Sequence, residues 1–493
     1  MRRMPFPILA MIPLLACATE EQPGRDSPAE RIARVEAGLL TANVVAGEPT
    51  HTIAERLSYY RVPGVSVAVI DSGRIVWARG WGVADSTTGT AVDTSTLFQA
   101  ASISKPVAAA GALRLVERGL LDLDEDVNRR LKSWQVPENA FTTEEKVTLR
   151  RLLSHSAGTT VHGFPGYAAD DSVPTLVQVL DGEEPANTAP VRVDTVPGSR
   201  WRYSGGGISI AQLLMIDVTD RAFPELMREL VLEPAGMIHS TFEQPLPPAR
   251  AEEAATAHLS DGTPAAGRYH TYPEMAAAGL WTTPSDLARF AIEIQQAFAG
   301  DTSRILSPEM ARRMLTIEAG EYGLGFGLDR EDDALWFAHG GANHGFRAYF
   351  AALADDGRGA VVMTNGDVGS ELAQEIMRAI AHEYDWPGFQ PNERVAVALD
   401  SAQMHALAGA YRAEVPGVDD TIVIEIVNDG GRLLANVPAA GWEGRVLRAA
   451  SPDTLFLLEN SAVLAVERDA AGAVRAVSLN GLGVPIRAER VRE

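Results

Sequence analysis

Apolar and polar positions near the start of the chain first follow a helical pattern and then a strand pattern. Residues 29–40 and 52–60 are two helical stretches. Two apolar-rich runs come next, at 65–70 and 74–80, and they flank the turn-forming residues 71–73. Two such runs around a short polar turn predict a β-hairpin.

The chain up to residue 387 places strand patterns on both sides of a helical middle. A helix is predicted over residues 106–117, ended by Gly119, and helical segments with loops rich in glycine and proline follow. Strand patterns then return and a helix closes the unit, with the strands near 336–337, 347–353 and 359–364 and the helix at 371–383. This order predicts an α+β domain over residues 46–387, with one antiparallel sheet, helices packed on it and a separate helical lobe.

The pattern changes from about residue 388. Short alternating runs appear, and turn-forming residues at 428–431 and 469–472 separate several of them. The runs lie at 421–427, 432–437, 454–458, 463–467 and 474–479. Residues 388–493 are therefore predicted to form a small all-β domain, a barrel or a sandwich.

Composition and charge narrow the class of protein. The 493 residues are 46% hydrophobic and 22% charged, which is an ordinary globular mixture with enough apolar material for a large core. The formal net charge is −22 at pH 7, and such acidity argues against binding to nucleic acid or to an anionic membrane surface. A plainly soluble surface explains the same charge equally well.

The only cysteine, Cys17, lies at the end of a basic and then apolar N-terminal segment. Residues 1–17 have the layout of a secretory signal and resemble the lipobox of bacterial lipoproteins, in which the cysteine is lipidated. Residues 18–45 would then be a tether with a first helix. The protein would be held by its lipid in the cell envelope, facing the periplasm, and at the outer membrane if the organism is Gram-negative. The alternative is a plain signal peptide with an incidental cysteine.

Candidate chemistry begins with Ser102 and Lys105. Lysine is rare here, with three lysines among 43 basic residues, a bias that a GC-rich genome also explains. Ser-x-x-Lys on one helical turn places the hydroxyl and the amine on the same face. Unlike arginine, lysine can lose its proton and activate a serine nucleophile. A single pair of this kind also arises by chance, so the motif needs support from elsewhere in the chain.

Two further segments supply that support. Tyr203-Ser204-Gly205 and His339-Gly340-Gly341 follow the serine–lysine pair in this order. Together the three motifs resemble the serine β-lactamase and penicillin-binding-protein superfamily, in particular the group similar to class C β-lactamases. The resemblance covers roughly residues 50–387.

The resemblance implies a set of roles. Ser102 would be the nucleophile that forms an acyl-enzyme, with Lys105 and Tyr203 as its proton-transfer partners. The backbone N–H groups of Ser102 and Ala342 would form the oxyanion hole. Further substrate contacts would come from Gly205 and from the strand residues Gly340 and Gly341, with His339 beside them.

Two departures from the family pattern bear on the substrate. Gly205 stands where the family has asparagine, and His339 stands where β-lactamases have lysine, so the site has one fixed cation fewer. Both changes favour a serine hydrolase of esters or D-amino-acid-type amides. The alternatives are a β-lactamase or D-alanyl-D-alanine carboxypeptidase and, outside enzymes, a penicillin-binding acyl-sensor or an envelope scaffold.

Other polar residues have simpler interpretations. His339 and His344 could be read as a metal pair, but no neighbouring carboxylate or cysteine completes a ligand set, so no metal and no cofactor is predicted. His155 and His162 are interpreted as structural. The C-terminal β domain resembles the lipocalin-like appendages of such hydrolases, and the hypothesis is that it covers one side of the cleft or aids assembly.

Overall fold

A computed structural model describes residues 27–331, 333–414, 421–481 and 485–491. Cys17 and the predicted signal segment lie outside the described residues. The helices are α1 Pro28–Ala37, α2 Ile53–Tyr60, α3 Ser104–Glu117, α4 Leu149–Leu153, α5 Leu176–Asp181, α6 Gly205–Thr219, α7 Phe223–Met227, α8 Glu233–Ala235, α9 Met275–Ala278, α10 Pro284–Ala299, α11 Pro308–Met314, α12 Gly369–Glu383 and α13 Ser401–Leu407.

The strands are β1 Asn43–Val45, β2 Gly64–Asp71, β3 Arg74–Asp85, β4 Thr90–Ala91, β5 Phe98–Gln99, β6 Trp281–Thr282, β7 Gly327–Glu331, β8 Ala334–Asn343, β9 Phe346–Leu353, β10 Gly359–Thr364, β11 Asn392–Arg394, β12 Gly409–Ala413, β13 Ile422–Asp429, β14 Arg432–Val437, β15 Trp442–Ser451, β16 Thr454–Leu457, β17 Val463–Arg468, β18 Val474–Asn480 and β19 Ile486–Arg490. Among the described residues, no helix combines the length and the apolar character needed to cross a membrane.

The centre of the larger domain is a seven-stranded sheet in the order β4-β3-β2-β10-β9-β8-β7. Its neighbouring strands are antiparallel, as predicted. The predicted hairpin is present as β2 and β3, although β3 continues past residue 80 because it goes on pairing with Gly64 and Val65 and then with β4. The α+β prediction is therefore confirmed.

Helices cover both faces of this sheet. Successive side chains of a strand point to opposite faces, and in β2 this sends Val67 and Val69 towards one core and Ala68 and Ile70 towards the other. The first core contains α12 and parts of α1 and α2, while the second contains α3, α10 and the helical lobe. The first helix also packs into the domain through the buried Val35.

The C-terminal domain is a closed eight-stranded antiparallel barrel, β12 to β19 in sequence order. Alternate residues of its strands fill the interior, as the burial of Ile424, Ile426, Leu464 and Leu479 shows. The predicted lipocalin-like all-β domain is confirmed.

Asn43 joins the barrel to the larger domain. Its backbone N–H donates to Leu458 O over 2.9 Å. Its side-chain Nδ2 donates to Leu457 O and to Asn460 O, each over 2.7 Å. The side chain is fully buried, so these hydrogen bonds form away from water and fix the connection after β16 against the larger domain.

Candidate active site

Ser102 lies on a 3₁₀ turn, Ala101–Ile103, which leads directly into α3. The residue before it, Ala101, has φ +50°, a left-handed conformation that is unusual for a residue with a Cβ atom. Strained backbone of this kind persists only where the surroundings enforce it, and it is concentrated at functional sites. Here it places the serine at the start of a buried helix.

Lys105 lies three residues further along and points back at the serine. Its Nζ donates to Ser102 Oγ over 2.8 Å and to Ala277 O over 2.7 Å. The side chain is 2% exposed. The amine is therefore held against the hydroxyl by a second, backbone acceptor, which is the geometry that serine activation needs.

Tyr203 precedes α6, where Ser204 caps the helix by accepting from Gly207 N–H. The centroid of the Tyr203 ring lies 5.0 Å from Lys105 Nζ. Serine, lysine and tyrosine, separated widely in sequence, thus meet at one place. The Lys105 amine is hydrogen-bonded to Ser102 and lies over the tyrosine ring, within reach of both groups.

Three histidine rings surround Tyr203, and sequence reasoning interpreted two of them as structural only. The ring centroids of His155, His162 and His339 lie 4.3, 4.9 and 6.1 Å from that of Tyr203. The signal that could have identified His155 is the stretch 152–158, which carries it between two serines close to a glycine.

His155 is neutral in this environment. Burial is the main cause that lowers its pKa well below the ordinary value, and the charge of Lys105 adds to the effect. Ser204 N–H donates to its Nδ1 over 3.2 Å, so the ring proton is on Nε2. That Nε2 is buried without a hydrogen-bond partner among the described residues.

His339 is neutral as well, with the opposite tautomer. Burial, and after it the charge of Lys105, lowers its pKa to about 3. Its Nδ1 lies 2.6 Å from Gly340 O, and because a carbonyl only accepts, Nδ1 carries the proton. Nε2 is then a free acceptor, buried and unpartnered within the described chain. The third motif therefore supplies no positive charge.

The strand that carries His339 is open on one side at the site. The last register pair of β7 with β8 is Gly327 with Ala338, so residues 339–343 pair only with β9. Gly341 lies so close to the serine turn that a Cβ atom there would be 2.3 Å from Ala100 O. Absence of a side chain lets β8 pass beside Ser102, and Gly340 and Ala342 follow the same edge.

A cleft of about 610 Å³ surrounds these groups. It is lined by Ser102, His162, Gly163, Phe164, Trp201, Tyr203, His339, Gly340, Gly341, Ala342, Ala348, Tyr349, Ser370, Ala373 and Gln374. Within the described part of the chain, none of these lining residues is an aspartate, glutamate, lysine or arginine. Trp201 is 43% exposed and forms an aromatic rim with Phe164, neither of which the sequence had indicated.

The resemblance places Gly205 among the substrate contacts, but the structure contradicts this prediction. Gly205 is buried and does not line the cleft. A Cβ atom at this position would lie 2.9 Å from Phe164 Cε2 and 3.1 Å from His162 O. The segment 162–164 therefore occupies the space that a longer side chain would need.

The matching family model decides the relationship. The β-lactamase family model matches residues 50–384, which is more than half of the chain. The chain belongs to the β-lactamase family. It is a serine hydrolase of that family. Among the described residues, no group of three or more histidine, cysteine, aspartate or glutamate side chains is arranged to hold a metal ion.

Named relatives within the family have different activities. The chain is 28% identical to esterase EstB of Burkholderia gladioli, covering 59% of this chain and 80% of that protein. It is 27% identical to penicillin-binding protein 4 of Amycolatopsis lactamdurans, covering 72% of this chain and 94% of the relative. The structure of the octameric penicillin-binding protein homologue from Pyrococcus abyssi matches with a TM-score of 0.60 at 20% identity, over 88% of this chain and 98% of that one, and so shares the fold.

Proposed function

We propose that this β-lactamase-family hydrolase cleaves esters whose acyl group is uncharged near the reacting carbonyl. The observation that carries the proposal is the lining of the cleft, which is aromatic and polar but without formal charge at its surface in the described residues. His339 adds no cation, since its pKa is about 3. A substrate carboxylate or ammonium beside the scissile bond would lose its water there, and no charged side chain in the described lining of the cleft would replace it.

The proposed reaction runs through an acyl-enzyme. Ser102 Oγ attacks the ester carbonyl while its proton passes to the Lys105 amine in its unprotonated form. The C–O bond to the leaving group then breaks, and the departing oxygen takes a proton from the Tyr203 hydroxyl. Water attacks the acyl-serine with the proton transfers reversed, which releases the acid and restores Ser102. The N–H groups of Ser102 and Ala342 would stabilise the oxyanion.

The aromatic rim supports an apolar acyl group. Trp201 is exposed at 43%, and Phe164 is a second aromatic residue of the lining. Such rings gain free energy when they cover apolar substrate atoms. Similarity to esterase EstB is consistent with this choice. A D-amino-acid amide with a free ammonium group would instead need a carboxylate. The described lining of the cleft has none, and Glu321 and Asp329 line the adjoining space past Tyr203 and His339.

Hydrolysis of p-nitrophenyl butyrate tests the proposal. We expect steady turnover by the full chain and loss of that turnover in Ser102→Ala, because the nucleophile is removed. Ser58→Ala, on the exposed surface of α2, is the matched control and should hydrolyse at the normal rate. A chromogenic cephalosporin and a D-alanyl p-nitroanilide run in parallel separate the alternatives. Turnover of either with none of the ester would contradict the proposal, and a burst without turnover would indicate an acyl-sensor.

A further inference from the structure

A second cavity, of about 330 Å³, adjoins the active-site cleft along α12. Ser370 and Gln374 line both spaces, and Arg378 lines only the second. Side chains four residues apart share one face of a helix. Ser370, Gln374 and Arg378 therefore form a row along the helix. The row is about 12 Å long, because residue 378 lies eight residues after residue 370 and a helix rises 1.5 Å per residue. One wall thus leads from the cleft at Ser102 towards Arg378.

The walls of the second cavity come from four parts of the chain. Besides α12, which also contributes Glu371, they are Ala42, the segment before the barrel and the connection after β16. The last two contribute polar side chains. These are Gln390, Asn392, Glu459, Asn460 and Ser461. The barrel therefore does not line the cleft itself among the described residues, but it closes the space next to it. Gln390 Nε2, Asn392 Nδ2 and Ser461 Oγ already donate to backbone carbonyl oxygens. Asn460 Nδ2 donates to no group among the described residues and can donate to an anion.

Arg378 is the unexplained group in this cavity. Its Nη1 is buried and has no hydrogen-bond partner among the described residues. Burial lowers the pKa of Arg378, and Glu375 opposes that effect only in part. An unpaired buried guanidinium is costly to the fold, so its retention calls for a partner that arrives from outside.

Neighbouring carboxylates do not serve as that partner. Glu375 accepts from Arg56 and from Tyr60, the latter over 2.7 Å. Glu459 Oε1 accepts from Tyr59 over 2.6 Å, while its Oε2 is buried without a partner. The free carboxylate oxygen of Glu459, together with Glu371 in the same wall, would repel a dianion such as phosphate about twice as strongly as a singly charged carboxylate. A monoanion is the charge that suits a single unpaired guanidinium.

We propose, building on the ester hydrolysis proposed above, that this cavity is a remote subsite in which Arg378 binds a carboxylate at the far end of the substrate. The scissile carbonyl then lies at Ser102 while the substrate follows the wall formed by Ser370 and Gln374. The side-chain amide of Asn460 donates a further hydrogen bond to the carboxylate. Substrates of this class are long-chain esters that are uncharged at the reaction centre and anionic at their other end.

Paired esters of sebacic acid test the subsite. One substrate is mono-p-nitrophenyl sebacate, with a free terminal carboxylate, and the other is its uncharged methyl ester. In the full chain we expect kcat/KM to be higher for the charged ester. In Arg378→Gln the ratio of charged to uncharged should fall about 10- to 100-fold, the usual range for a lost hydrogen bond to a charged group. The same pair built on succinic acid should show no such preference, because its carboxylate stays close to the reacting carbonyl and cannot pass along the wall from Ser370 to Arg378, which is about 12 Å long.

Control variants separate the subsite from general effects of charge. Arg432→Gln removes an arginine that is 67% exposed on the barrel surface and should leave the ratio as it is. Arg378→Lys keeps the charge and should restore part of the preference. A full chain that hydrolyses the uncharged ester as well as the charged one, or better, would overturn the proposal. So would an unchanged ratio in Arg378→Gln.

Calorimetric titration of the Ser102→Ala chain with mono-p-nitrophenyl sebacate tests the subsite without turnover. We expect binding that weakens at least tenfold when Arg378→Gln is added. If the full chain hydrolyses neither ester but this weakening is found, the proposed ester hydrolysis fails and the subsite stands. If esters are hydrolysed but binding is equal in both variants, the subsite fails and the hydrolysis stands. Should Arg378→Gln not fold, Arg378→Lys and the ratio in the full chain decide.

Discussion

Two buried polar clusters lie on opposite sides of the central sheet and differ in how completely they are paired. The catalytic cluster consists of Ser102, Lys105, Tyr203, His155 and His339, and it leaves Nε2 of both histidines without a partner in the described chain. The nucleophile also follows a residue in left-handed conformation. This cluster has spare hydrogen-bonding capacity and strained backbone, which is typical of a site that is completed by substrate.

The α2–α12 charge cluster, formed by Arg56, Tyr60 and Glu375, is fully paired. Arg56 Nε donates to Glu375 Oε2 over 2.7 Å, and its Nη2 donates to Glu375 Oε1 and to Tyr60. Tyr60 donates to Glu375 in turn. Buried charges that are fully paired stabilise the fold, whereas buried polar groups that lack a partner are available to bind a substrate. Substitutions in the two clusters should therefore affect different measured quantities.

The largest expected effect is on catalysis. Lys105→Arg keeps the charge but removes a group that can lose its proton. We expect the rate with p-nitrophenyl butyrate to fall about 10⁴-fold, at the upper end of what a general base contributes. Lys132→Arg changes another lysine, 57% exposed and paired with Asp220, and should hydrolyse at the normal rate. Near-normal rates for Lys105→Arg would contradict the assignment of Lys105 as the general base.

Next in size is a loss of stability without a catalytic change. Glu375→Gln removes the carboxylate that is hydrogen-bonded to the buried guanidinium of Arg56 and leaves only Glu459 Oε1, 4.0 Å away, as an opposite charge. We expect the free energy of unfolding in urea to fall by about 3 kcal/mol, the lower end of the range for breaking a buried ion pair. The folded fraction should still hydrolyse ester at the normal rate. Replacing both partners, as Arg56→Met with Glu375→Leu, should recover much of that loss. Equal stability of Glu375→Gln and the parent chain would contradict the comparison.

A pH titration of stability should single out the catalytic cluster. The pKa of His339 is about 3 in the folded chain, below its ordinary unfolded value of about 6.5. Between these two values the unfolded chain binds a proton that the folded chain does not, so the free energy of unfolding decreases as the pH falls from 6.5. At pH 5 this histidine alone should lower it by about 2 kcal/mol. His339→Gln should show a shallower decrease between pH 7.5 and 5, and parallel slopes would show that the group is not buried as described.

The smallest expected effect is at an exposed ion pair between α2 and the barrel. Arg61 Nη1 lies 2.8 Å from Glu443 Oε2, with the side chains 44% and 73% exposed. Water screens such a pair, so Glu443→Gln should change the free energy of unfolding by about 0.5 kcal/mol or less. Comparing the loss of stability in Glu443→Gln with that in Glu375→Gln shows whether an ion pair stabilises the fold because it is buried or only because it is charged. A loss comparable to that of Glu375→Gln would show that pairing alone is sufficient.

The sequence predicted the parts of the site that follow from local spacing or from motif order. Ser102 and Lys105 share a face because they lie on one helical turn, and Tyr203 and His339 follow from their motifs. Phe164, Trp201 and Arg378 could not be anticipated, since their positions depend on loop shape and on contacts between distant segments. That Gly205 does not line the cleft could not be anticipated for the same reason, because residues 162–164 occupy the space beside it and their path depends on loop shape.

For the fold, too, the sequence predicted what depends on local pattern and missed what depends on contacts between distant segments. Strands β14 and β18 alternate clearly and were predicted almost to their ends. Strand β15 was not predicted, because a buried arginine interrupts its apolar pattern. Arg445 is 6% exposed, and its guanidinium carbon lies 5.0 Å from the Tyr59 ring centroid, a contact with the other domain. The alternation of apolar and polar residues reveals a strand only when the side chains that are buried are buried within the strand's own domain. Arg445 is instead buried by a contact with the other domain.

The hydrogen bonds of Asn43 have a consequence for biosynthesis. Their acceptors include Leu457 and Asn460, which are 414 and 417 residues later in the chain. A ribosome must therefore add more than 400 residues after Asn43 before this early segment can find its partners. The same late connection supplies the barrel wall beside Arg378. The two domains can then assemble only after β16 has been synthesised, and a nascent chain stalled before residue 457 would expose Asn43 with none of these contacts.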